Sequence, residues 1–145
     1  MINFSVETKK FKHVIDFYNI KFKNKDFSKL ETVQLYFGSY FYGICHFPSY
    51  FRKKFLIKCR LDRRTIYPEI LCFYVRSKNS QSIKLKGKEV PSMNCNESMV
   101  YLIGHELFHF LRATKQIKGK NTESQANEFA FKCLSEFKRN QATSS

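Results

Sequence analysis

Two histidines four residues apart enclose a glutamate in the stretch His105-Glu106-Leu107-Phe108-His109. On a helix, that spacing sends both imidazoles out from one face, within reach of a single ion. Glu106 is offset by one residue around the helix, towards the position such a pair leaves open. A carboxylate there can take a proton from a metal-activated water and later hand it to a leaving amine. Five residues thus combine two ligands and a general base, which is the set that zinc-dependent peptide hydrolysis needs. The plainer alternative is an ordinary helix surface that happens to carry these side chains. Against it stand Leu102, Ile103, Leu107, Phe108, Phe110 and Leu111, which make the segment apolar almost all round. Such a helix is buried, and burying two imidazoles and a carboxylate without partners is costly.

A catalytic zinc takes three protein ligands and keeps a fourth position open. No histidine follows His109, and His13 and His46 lie far upstream. Glu123, fourteen positions after His109, is the better candidate. It opens the last helical segment and lies along a stripe with Ala126, Asn127 and Ala130. A carboxylate on a core-facing stripe is unusual unless something pairs with it. Its alternative role is helix-start electrostatics, which favours glutamate in a first turn. Asn127, one turn further on, is placed to hydrogen-bond the second ring nitrogen of a ligand histidine. It could equally be a polar residue on the helix flank.

The elements that must position these residues form an α+β chain. Phe11, Val14, Ile15 and Tyr18 have helical spacing and predict an N-terminal helix. Residues 32–47 are rich in β-formers, with Gly38-Ser39 as a candidate hairpin turn. Residues 55–61 and 66–76 read as two further strands, and residues 83–90 as a short polar strand around Gly87. These make a small, mainly antiparallel sheet. Asn94 and Glu97 then resemble a capping box before the His105–His109 helix, which should end in the basic stretch from Arg112 to Lys120, with Gly119 at the turn. Thr122-Glu123-Ser124-Gln125 is a second capping box. It opens a helix whose apolar positions are Ala126, Phe129, Ala130, Cys133, Leu134 and Phe137. Residues 1–140 are expected to form one domain, and residues 141–145 a flexible tail.

His105-Glu106-x-x-His109 followed by Glu123-x-x-Ala126-Asn127-x-Phe129-Ala130 resembles the gluzincin branch of the zincin metallopeptidases, and in particular the ImmA/IrrE family. The resemblance covers roughly residues 94–137. It implies a minimal zincin-like fold, one Zn2+ per chain held by His105, His109 and Glu123, and Glu106 as catalytic base. It implies a protein or peptide substrate, such as a DNA-bound regulator. It also implies that substrate adds as a strand to a sheet edge beside the active-site helix, with residues 70–76 or 83–90 as the candidate edges.

Composition sets the remaining bounds. The 145 residues carry 26 Lys+Arg against 12 Asp+Glu, a formal net charge of +14. Such a field favours acidic partners, DNA or a DNA-bound protein among them. The stretch from Tyr50 to Arg64 interleaves aromatics with Arg52, Lys53, Lys54, Arg63 and Arg64, the candidate nucleic-acid contacts. A basic nucleic-acid-binding module with a structural or vestigial zinc site is therefore the second reading, although a structural site has no use for Glu106 and is closed by four ligands. Five cysteines without a C-x-x-C pair argue against a disulfide framework and for a reducing, cytoplasmic setting. No membrane-spanning segment, and no membrane partner, is expected.

Overall fold

A computed structural model describes residues 1–6, 11–39, 42–62, 82–85, 88–91 and 95–144. The order of elements is β1 (Phe4–Val6), α1 (Lys12–Lys21), β2 (Leu30–Gly38), β3 (Tyr42–His46), β4 (Phe55–Asp62), β5 (Ser82–Leu85), β6 (Lys88–Pro91), α2 (Cys95–Ala113) and α3 (Glu123–Ser144). This is the expected α+β class with a helix near each end. The expected strand at 66–76 and the N-cap at Asn94 lie outside the described residues.

The sheet departs from expectation in a way that matters for the site. Its order is β1-β2-β4-β3, with β1–β2 and β2–β4 parallel and only β3–β4 antiparallel. The sheet is therefore mixed, not mainly antiparallel. Gly38-Ser39 closes no hairpin, because β4 inserts between β2 and β3. The physical reason lies in β4, where Phe55, Leu56 and Ile57 are successive buried residues and Cys59 and Leu61 are fully covered. A strand apolar in consecutive positions takes the centre of a sheet, leaving β3, which is only half-buried, for the end. The three-residue β1 precedes α1, so the chain opens on a strand and crosses over α1 to a parallel neighbour. Of the expected strand at 83–90, residues 83–85 lie in β5 and residues 88–90 in β6, which pair with each other as a separate two-stranded sheet.

α2 is the central element, with thirteen of its nineteen residues buried. It covers the sheet face made by Val33, Leu35, Ile57, Cys59 and Leu61. Its C-terminus is closed by Gln116 N–H donating to Leu111 O at 2.8 Å, with Lys115 in the left-handed region at φ 59°. Gly119, with φ 122°, bends the connection further on, where a Cβ would meet Gln125 Oε1 at 2.4 Å. Gln116 ties this connection down by accepting from Asp26 N and donating to Asp26 O, both at 2.7 Å. Thr122 Oγ1 then accepts from Gln125 N at 3.2 Å and caps α3. All six expected apolar positions of α3 face inward: five are buried, and Phe129 packs against the core partly covered. The helix continues through residues 141–144, where a tail is expected.

α3 lies against α2 at Gly104. A Cβ there would stand 2.8 Å from Tyr18 Oη, 3.3 Å from Ala130 Cα and 3.4 Å from Cys133 Cβ. Tyr18 cannot yield easily, because its hydroxyl donates to Val100 O in the core. Gly104→Ala should therefore lower the stability of the fold by about 1–3 kcal/mol through overpacking, despite alanine's better helix propensity. Denaturant unfolding measures this, and an unchanged or raised midpoint would show that the helices have room to spare.

Candidate metal centre

The 3.6-residue repeat stacks Tyr101, His105 and His109 along one side of α2. α3 and the residues just before it run antiparallel to this row, presenting Asn127, Glu123 and Asn121 in reverse order. Glu123 lies between the two histidines. Its Oε2 is 2.9 Å from His105 Nε2, and its Oε1 is 3.2 Å from His109 Nε2. The three residues form a donor set in which one atom from each lies within 4.8 Å of the others. The histidine side chains are largely buried, whereas that of Glu123 is 70% exposed. Glu123 thus approaches from the solvent side of the helix start and is not sunk in the core-facing stripe.

The far side of each imidazole explains why this set suits a cation. His105 Nδ1 lies 2.7 Å from Asn127 Oδ1, which also accepts from the Tyr101 hydroxyl at 2.9 Å. His109 Nδ1 lies 2.6 Å from Asn121 Oδ1, and Asn121 Nδ2 donates to His109 O at 3.5 Å, which fixes the amide's orientation. Each Nδ1 must therefore carry the proton, leaving each neutral ring with a bare lone pair on Nε2. Those lone pairs face carboxylate oxygens, and acceptor against acceptor repels. Protonating the rings would resolve the conflict, but burial holds the His105 pKa below its ordinary value, partly offset by Glu123. A metal ion between the three donors resolves it without that cost. Ligand atoms around a tetrahedral ion lie roughly 3.3 Å apart, so the 2.9 and 3.2 Å separations of Glu123 from the two imidazoles need little adjustment.

Glu106 is 5% exposed and stands beside the donors without joining them, its Oε1 3.7 Å from His105 Nε2. Desolvation, followed by the charge of Glu123, pushes its pKa up to about 8. The opposite wall is β3. A cleft of about 280 Å³ is lined by Gly43, Ile44, Cys45 and Phe47 together with His105, Glu106, His109 and Glu123. Gly43 permits the close approach, since a Cβ there would meet Leu102 Cδ2 at 3.1 Å and Glu106 Oε1 at 3.2 Å.

No protein-family model matches the chain, and no curated protein or solved structure matches it either.

Of the residues singled out from sequence, His105, Glu106, His109, Glu123 and Asn127 come together. Arg52, Lys53 and Lys54 lie apart from them, in the connection between β3 and β4, and Arg63 and Arg64 lie outside the described residues. Among the described residues the sheet edge beside the site is β3; of the expected edges, residues 83–85 and 88–90 belong to the separate two-stranded sheet, and residues 70–76 lie outside the described residues. Tyr101 was findable, because it precedes His105 by the same four residues that separate the histidines. Asn121 carried no periodic signal, since it precedes the helix. Cys45, Cys59 and Cys133 carry free thiols, and no helix among the described residues is long and apolar enough to cross a membrane.

Two outcomes follow from this geometry. Asn121→Ala and Asn127→Ala should each weaken metal binding about 10–100-fold while leaving all three donors in place. Competition with a chromogenic chelator reads this directly, and unaltered affinity in both variants would mean that the amides do not orient the rings. The second outcome concerns pH in the metal-free chain. A carboxyl raised from 4.5 to about 8 binds its proton more tightly when folded. Its stabilising contribution is full below the unfolded value and is lost as pH rises towards 8. His105, held low, acts in the opposite sense and weakens the fold as pH falls below its ordinary value of 6.5. Comparison with Glu106→Gln separates the two: the variant's advantage in melting temperature over wild type should widen from pH 5 to pH 8. A gap that stays constant would mean that Glu106 is not desolvated.

Proposed function

We propose that this chain is a zinc-dependent peptidase of the gluzincin type that hydrolyses a peptide bond of a protein substrate held along β3. The observation that carries the reading is the division of labour among the acidic groups. Glu123 faces both Nε2 atoms and completes a donor set, whereas Glu106 is buried beside that set, over the cleft, and is not part of it. A structural site needs no such second carboxylate and is closed by a fourth ligand. Histidine and carboxylate donors in this number suit zinc. When bound, zinc supplies Lewis acidity, which polarises a carbonyl and acidifies water.

The chain's own residues would do the rest. β3 is the end strand of the described sheet, and its backbone borders the cleft from Gly43 to Phe47. An extended peptide can add to such an edge through main-chain hydrogen bonds, which places a carbonyl near the donors without demanding particular side chains. Glu106 would accept a proton from the attacking water and pass it to the departing amine nitrogen. Its place beside the donor set and over the cleft, without joining the donors, suits Glu106 to that task. Asn121 and Asn127 would keep the imidazoles turned to the ion, with Tyr101 steadying Asn127.

The test separates the roles of the two glutamates. Glu106→Gln should retain about one zinc per chain and lose peptide hydrolysis by roughly 100-fold or more. Glu123→Ala and His109→Ala should lose zinc itself. Elemental analysis and cleavage of a peptide mixture followed by mass spectrometry measure both. Loss of zinc in Glu106→Gln, or zinc at full occupancy in His109→Ala, would overturn the assignment.

A further inference from the structure

Between β3 and β4 the chain makes a tight turn that the cleft does not use. Ser49 and Arg52 form an antiparallel bridge, Ser49 N donating to Arg52 O at 2.7 Å and Arg52 N to Ser49 O at 3.2 Å. Tyr50 and Phe51 are therefore the two tip residues, at positions where glycine, asparagine and aspartate are usual. Their rings meet edge to face at 5.1 Å and are 94% and 93% exposed. Among the described large hydrophobics, only the terminal Met1 is held in water to the same degree. Isolated exposed apolar side chains need no explanation, but two adjacent rings at the apex of a tight turn point to a partner that takes them up.

The surroundings specify the charge of that partner. Between Glu31 and Asp62 the sequence has no acidic residue, while it holds Arg52, Lys53, Lys54, Lys58 and Arg60. Lys53 and Lys54 are exposed at the neck of the turn. Arg52 Nη1 is buried there and has no hydrogen-bond acceptor among the described residues. The local field is positive enough that His46 is held below its ordinary pKa, by desolvation first and then by Arg52 and Lys58.

We propose that the turn at Tyr50 and Phe51 docks this protein on an anionic lipid bilayer, the rings entering the interface while Arg52, Lys53 and Lys54 meet headgroup phosphates. A projecting apolar tip with a basic collar combines the two contributions that bind proteins to such surfaces, buried apolar area and attraction to anionic lipid. Tyrosine suits the headgroup level, with its ring apolar and its hydroxyl wet. A single-stranded nucleic acid would also meet rings and cations, but it is served by platforms on which successive bases stack. Rings at 84° to each other offer no such pair. The tip is firmly based: Phe47 packs on Phe55 at 5.0 Å, and Phe55 packs edge-on against Phe110 of α2 at 5.1 Å. Phe47 also lines the cleft, and three residues reach at most about 10 Å. Docking would thus hold the cleft close to the lipid surface. No membrane partner is expected from sequence, where the exposure of these rings is invisible.

The chain contains no tryptophan, so Phe51→Trp supplies a single reporter at the tip. With phosphatidylserine-containing vesicles its emission should shift to the blue and be quenched by brominated acyl chains; with phosphatidylcholine alone the response should be much weaker. In vesicle sedimentation, Lys53→Glu with Lys54→Glu should weaken binding at least about 25-fold, from roughly fivefold per basic residue. Tyr50→Ser with Phe51→Ser should weaken it about tenfold or more. All these side chains lie at the surface, so melting temperature and metal content should stay at wild-type values, and docking is tested independently of peptide hydrolysis. An unshifted emission, or sedimentation indifferent to loss of both rings, overturns the proposal. So does tighter binding of the Phe51→Trp protein to a single-stranded oligonucleotide than to the vesicles, which would make nucleic acid the partner.

Discussion

The absence of a side chain at Gly104 sets the distance between α2 and α3, and the candidate metal centre depends on that distance. With Ala130 Cα and Cys133 Cβ both close to where a Cβ would stand, the helices approach as nearly as their backbones allow. The contacts that build the centre follow from that approach and from the antiparallel run of α3. Each four-residue step up α2, from Tyr101 to His105 to His109, is met by a step back along α3, from Asn127 to Glu123 and then to Asn121 before the helix. Glu123 reaches both imidazoles only because it sits between the levels of the two. A helix pair held farther apart would leave the carboxylate in solvent and the ring nitrogens without their amides.

That arrangement is electrostatically unfavourable without an ion. Both Nε2 atoms face one carboxylate, and a second carboxylate, Glu106, is nearly enclosed beside them, its pKa pushed up to about 8. Protein interiors do not keep such groups for stability. Sites that break the rules of the core are where function is located, provided the rest of the fold holds them in place. Here the restraint comes from a helix almost wholly enclosed in hydrocarbon, and from the connection between α2 and α3. That connection is anchored at both ends, by the Gln116–Asp26 pair of bonds and by the Thr122 cap.

Legibility in the sequence followed the range of the interactions. The two C-terminal helices are written in local periodicity, and so are five of the site residues, because a helix converts spacing directly into a shared face. The partner of His105 was readable for the same reason, since Asn127 lies one turn from Glu123. The sheet was not readable. Whether β2 pairs with β3 or with β4 is a competition between distant segments, decided by the apolar run from Phe55 to Ile57, and a Gly38-Ser39 turn signal speaks only for its neighbours. β1 is too short to leave a pattern. Asn121 escaped because it acts from a connection, where position is fixed by tertiary packing and not by a repeat.

The misplacement of β3 had the largest consequence, because this one strand does three jobs. As the last strand of the described sheet it has an edge to offer. Through Gly43 it comes close enough to Glu106 to form the second wall of the cleft. Through Phe47 it continues into the Ser49–Arg52 turn, whose rings stand in solvent. A strand paired on both sides would have no edge to offer. The apolar strength of β4 thus decides more than sheet order. By pairing between β2 and β3, β4 leaves β3 as the end strand of the described sheet, where it forms the cleft wall and leads into the projecting tip. In a chain of this size, that displacement lets a single short strand connect the candidate chemistry to the surface that would deliver it.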